Sequence, residues 1–187
     1  MRYKEYNTNS VLEKCIPIFW KKGFRATSIN EIVEVTGVNR FSLYHEFQNK
    51  EGILYNALKL YQKRYGMSKF DILKKEGDLA TVLQEFYLSF LQSKEKYQGC
   101  FYIHIGTELA DEDPEIKSLI RNYLAALEFA LIERLIKEAK TKNNPKFYAR
   151  HLVGLFCTSM SFCLIHSEKQ KQHHIVNGIE VILHKKI

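Results

Sequence analysis

Arg40, Phe41, Tyr44 and His45 fall on one face of any helix through Arg-Phe-Ser-Leu-Tyr-His-Glu-Phe, while Leu43 and Phe47, four apart, fall on the other. A cation, two aromatics and an imidazole on the outside of a short helix suit the base edges of a DNA major groove. A guanidinium can fork onto guanine O6 and N7, and a phenyl ring can meet a thymine methyl. Asn39, just before this stretch, is a good N-cap. Upstream, Ser28 and Glu31 have the spacing of a capping box, in which each side chain satisfies a backbone N–H at a helix start. Ile29, Ile32 and Val33 follow on one face. Gly37 can take the left-handed conformation that closes a helix, and Val38 is a buried plug. Residues 28–47 therefore read as two short helices around a tight turn.

Three further residues bear chemistry. Cys100 follows Gly99 at the expected start of a helix, where the exposed N–H groups lower a thiol's pKa and raise its reactive thiolate fraction. That would suit a redox or electrophile sensor; the alternative is a small buried residue where two helices meet. His104 and Glu108 stand four apart, but two ligands are too few for a metal site, and neither a metal nor a cofactor is expected. There is no Gly-rich phosphate loop, no carboxylate pair and no Ser–His–acid arrangement of diagnostic spacing, so an enzyme, even a small helical one, is not expected. Cys15, Cys100, Cys157 and Cys163 form no CxxC pair and read as reduced thiols. The N-terminus lacks an apolar signal region, and the longest weakly polar run, Leu152 to Ile165, is too short to span a bilayer, so a cytoplasmic protein with no membrane partner is expected.

The elements that must position these groups are helical throughout. No alternating strand pattern occurs among the 187 residues, and 45% apolar content is ample for a core. Thr8 to Lys22 reads as a first helix with Leu12, Cys15, Ile16 and Phe19 inside, ended by Gly23-Phe24. Later helices are expected from Lys50, over about 79–98, over 100–110, from Asp113-Pro114, from Asn144-Pro145 to about His166, and through Ile175, Ile179 and Ile182. Charge divides the chain: residues 1–64 carry 11 Lys/Arg against 6 Asp/Glu, whereas the remainder carries 17 against 15. A basic first third on a near-neutral body suits a DNA-reading domain at 1–65 joined to a different domain at 66–187. In that body Tyr61, Phe86, Phe90, Phe101, His104, Tyr123 and Phe162 are candidates to line an apolar pocket for a small ligand. The last two helices have more apolar surface than a small domain can cover, and a homodimer through Phe156, Met160, Cys163, Ile175, Ile179 and Ile182 would bury it.

The run Phe19…Gly23-Phe24…Thr27-Ser28-Ile29…Ile32…Gly37-Val38…Leu43-Tyr44…Phe47…Lys50-Glu51 resembles the DNA-binding domain of the tetracycline-repressor (TetR) family over roughly residues 5–65. Phe41 departs from it, standing where the family usually has a small residue or proline. Gly99-Cys100-Phe101, Glu108-Leu109-Ala110 and Asp113-Pro114-Glu115 look like one subgroup of that family's C-terminal domains, marked by the Gly-Cys pair. The resemblance implies an all-α regulator of about nine helices: an N-terminal three-helix helix-turn-helix domain and a helical ligand-binding and dimerisation body. It places DNA contacts on Asn39, Arg40, Phe41, Ser42, Tyr44 and His45, with Thr27, Ser28 and Lys50 at helix starts facing phosphate. The expected partners are a double-stranded, palindromic DNA operator, a second copy of the chain and a small-molecule inducer that releases a repressor from DNA.

Overall fold

A computed structural model describes residues 6–91, 99–138, 141, 143–161, 163 and 165–184. Among these residues the chain is all helix, and its local signals decide where each helix begins. α1 (Thr8–Lys22) starts where the Asn7 side chain accepts the Ser10 N–H. α2 (Ile29–Thr36) opens on the Ser28/Glu31 capping box and closes on Gly37 at φ 74°, a left-handed position that a side chain would strain. α3 (Arg40–Phe47) starts where Asn39 accepts the Ser42 N–H at 2.9 Å. α4 (Lys50–Tyr61) is capped by Asn49.

Helix α4 does not stop at Tyr61. It runs on through a π-helical turn (Gln62–Gly66), one α turn (Met67–Phe70) and a 3-10 turn (Asp71–Lys74), so residue 65 lies inside a continuous helical segment. The wider π turn breaks the four-residue stripe. Tyr61 is buried and Tyr65 is exposed, while Gly66 comes to lie against the Tyr123 ring.

Five more helices complete nine among the described residues: α5 (Leu79–Ser89), α6 (Phe101–Leu109), α7 (Pro114–Leu135), α8 (Pro145–Ser161) and α9 (Glu168–His184). α5 ends at Ser89 with a turn at Phe90–Leu91; the rest of the expected 79–98 helix lies outside the described residues. α8 stops at Ser161, short of His166, and Ser167 with Gln170 forms a fresh capping box that starts α9.

The head, α1 to α3, packs through α1 against α4. In the body α8 packs on α7, and α9 packs on both α8 and α5. One continuous apolar core runs through both parts, from Val11 and Phe19 through Tyr61 and Phe86 to Ile179. Trp20 carries it across the seam, with its ring 5.3 Å from Tyr61 and 5.8 Å from Phe101.

Candidate nucleic-acid interface

Helix α3 is anchored from beneath and bare above. Leu43 and Phe47 are buried, the Ser42 N–H is held by Asn39, and the Ser42 carbonyl accepts the Tyr6 hydroxyl at 3.1 Å. The opposite face holds two ordered pairs. The Arg40 guanidinium lies 5.1 Å over the Tyr44 ring, a cation–π contact that leaves the fork's edge free. The Phe41 and His45 rings stack at 6.3 Å. Phe41 is 81% exposed. Asn39, Arg40 and His45 are exposed as well, and Ser42 and Tyr44 are half-buried. Such exposure of a phenyl ring has no internal use, whereas a groove partner would cover it.

At the start of α2, Ser28 is exposed, and both its N–H and its hydroxyl donate to Glu31, at 2.8 and 2.9 Å. Bonds from Lys22 and Ser28 hold the Glu31 carboxyl down at about 2. Thr27 corrects the expectation made for it: its side chain is fully buried, and its hydroxyl donates to the Gly23 carbonyl at 2.6 Å, so it has no phosphate-facing group. Lys50 is also drawn inward. Its ammonium donates to the Phe24 and Thr27 carbonyls, both at 2.9 Å, and lies 4.2 Å over the Phe24 ring. Lys14, not foreseen as part of the site, reaches the Thr36 carbonyl at the end of α2 at 3.4 Å and holds α1 to the motif.

Residues 12–57 match the family model described as "Bacterial regulatory proteins, tetR family". The HTH-type transcriptional repressor ComR of Escherichia coli K12 is 28% identical over 156 residues, which cover 81% of this chain and 74% of that protein. The transcriptional regulator YezE of Bacillus subtilis is 24% identical over 73% of this chain and 72% of its own length. Among solved structures, a cysteine mutant of the TetR-family regulator CifR complexed with a 26-bp double-strand operator superposes with a TM-score of 0.79 at 17% identity, over 97% of this chain and 98% of that one. Escherichia coli NemR in its reduced form gives 0.76 at 17% identity, over 95% of each chain. Residues 12–57 thus match the DNA-binding domain of the tetR family, and the whole described chain shares the fold of these solved regulators.

The body gathers the aromatic residues expected around a ligand, but in a closed arrangement. Tyr61, Phe86, Phe90, Phe101 and Tyr123 are all buried and tied by ring contacts, which Phe70 and Tyr102 complete. His104 is half-buried one turn further along α6, and burial lowers its pKa. Phe162 lies outside the described residues. Tyr102, not foreseen, stacks on Tyr123 at 4.6 Å and donates to the Leu58 carbonyl and to Gln62 Oε1. Lys69, also missed, donates to the Ser89 carbonyl at 2.7 Å and sits 4.1 Å over the Phe90 ring; burial lowers its pKa to about 8. A tyrosine or lysine in mid-helix gives no local sign of facing inward.

The body decides between the two readings of Cys100 and corrects the expected dimer face. Cys100 occupies the N-cap position of α6, its thiol donates to the Tyr123 hydroxyl at 3.7 Å, and burial raises its pKa, as in the reading of a small buried residue where helices meet. Glu108 and His104 do not combine as metal ligands; Glu108 accepts hydrogen bonds from the head, and no described group of three or more His, Cys, Asp or Glu residues could hold a metal ion. Phe156, Met160, Cys163, Ile175 and Ile179 are buried within the protomer and Ile182 is half-buried, because α5 and α7 already cover the faces they occupy. The open faces of the last two helices carry Gly154, Thr158, Ser161 and Val181, the last 64% exposed. No described helix is long and apolar enough to cross a membrane.

Proposed function

We propose that this regulator is a repressor that binds a palindromic operator as a homodimer and is released by a small molecule taken up in the body. The observation that carries the reading is α3, whose inner face is packed while its outer face carries two pairs, Phe41 stacked on His45 and Arg40 over Tyr44. Laid in a major groove, Asn39, Arg40, Phe41, Tyr44 and His45 would meet base edges, and Ser28 at the α2 start would meet phosphate. Two such helices on a two-fold axis require half-sites about one helical turn, roughly 34–36 Å, apart. The pair forms through the outward faces of α8 and α9, where Gly154 and Thr158 let a second helix approach closely. The Gly99-Cys100 corner and the aromatic cluster behind it form the ligand-responsive part of the body.

Fluorescence anisotropy with duplex DNA flanking the protein's own gene tests this. Binding should favour one palindrome and weaken steeply with salt, since each phosphate neutralised contributes close to one unit of the log–log salt slope. No binding at low salt by ligand-free protein would refute the reading.

A further inference from the structure

The turn between α1 and α2 is clamped from two sides. From the body, the Glu108 carboxylate at the end of α6 accepts the Phe24 N–H on Oε2 and the Arg25 N–H on Oε1, each at 2.8 Å. From the start of α4, Lys50 takes the Phe24 and Thr27 carbonyls. The Phe24 residue is thus held by its N–H toward α6 and by its C=O toward the start of α4. The fit at Glu108 is close. Gly23 has φ +80°, and a Cβ built there would stand 2.7 Å from Glu108 Oε2. A neighbouring pair, Arg25 with Glu112 at 2.6 Å, has both side chains more than half exposed and contributes little. Two adjacent amides meeting the two oxygens of one carboxylate is the stronger and more directional contact.

The same helix ties this contact to the body's interior. α6 is nine residues long, about 13 Å at the helical rise. It starts at Cys100 in the tyrosine cluster and ends at the head. Movement of α6 along its axis must either break both Glu108 bonds or carry the 23–27 turn with it, and the turn carries α2.

We propose that Glu108 is a positioning residue for operator recognition: its carboxylate fixes the angle of the head on the body and so the distance between the two recognition helices of a dimer. The proposal rests on the DNA-binding, dimeric reading above.

The test uses the full-length protein and a duplex selected from a random library by the wild type, remade with the half-sites one and two base pairs closer or further apart. Wild type should prefer one spacing by about tenfold, the effect of a charge-assisted bond or two. Glu108→Ala should bring the spacings within about threefold of one another, and Glu108→Gln, which keeps the size but offers only one acceptor oxygen, should fall between. Arg25→Ala, which removes only the exposed ion pair, should keep the wild-type preference. In the same variants the Phe24 and Arg25 amides should exchange with deuterium about tenfold faster in Glu108→Ala, measured on the protein without DNA. Unchanged spacing preference in both Glu108 variants overturns the positioning role, whatever their thermal stability. Unchanged amide protection overturns the clamp itself. Failure of the wild type to select any duplex instead refutes the DNA-binding reading, and the exchange measurement still decides the clamp.

Discussion

Phe41 is 81% exposed, which leaves it no place in the core. Phe41→Ala should therefore change stability by no more than about 0.5 kcal/mol, as surface substitutions do. It should also abolish discrimination between thymine and uracil at one operator position, because uracil differs from thymine only by the methyl group. Equal affinity of wild type for both duplexes would assign base reading to Arg40 and its neighbours. Lys69 gives a second prediction at this scale. Its pKa is lowered to about 8 by burial, whereas an unfolded lysine titrates near ~10.4. Between those values the unfolded chain holds more protons than the folded one, so this group's contribution to stability rises with pH. Cys15 and Cys163, raised to about 12 and about 11, act in the opposite sense: their contribution is complete below ~8.5 and is lost above it as the unfolded thiols ionise. In Lys69→Met, stability measured by urea unfolding should fall more steeply from pH 8 to 10 than in wild type; parallel profiles would show that Lys69 is solvated in solution.

At the scale of the helix, most of the architecture was legible because its signals are local. Asn7, Ser28, Asn39, Asn49, Asp78 and Asp113 all cap helices, and Gly37 ends one in the left-handed region the turn requires. Ser28→Ala should cost about 1 kcal/mol, the usual value of an N-cap, visible as a lowered urea midpoint with an unchanged slope. A cost near zero would show that Glu31 holds the helix start alone. What the sequence could not show is what covers each face. Phe156 and Ile179 lie on apolar stripes that fit an intersubunit seam equally well, and only the packing of α5 and α7 reveals them as core. Thr27 fails for the same reason, and at Cys100 the same effect decides for the buried reading. Each sits beside a helix start, where local electrostatics favour a phosphate or a thiolate, and in each burial outweighs that preference. The role of Glu108 was illegible because its partners, two backbone amides, lie more than eighty residues away.

For the whole molecule, the outward face of α8 decides whether two chains can pair there. A Cβ built on Gly154 meets nothing within 4 Å, so Gly154→Glu leaves the protomer undisturbed and replaces a weak helix former by a stronger one. In a two-fold pair through this face it would bring two like charges together. Sedimentation should then report a monomer with wild-type helicity, and operator affinity should drop by at least about tenfold. A dimer that survives this change is built elsewhere. The Trp20 ring, set against Tyr61 and Phe101, has a consequence for engineering. Helix-turn-helix heads invite transplantation onto foreign bodies, but here a splice at residue 65 would cut inside a π turn and leave an indole facing a surface not shaped for it. A portable module from this chain must carry its own aromatic neighbours, so the natural place to recombine lies beyond α6.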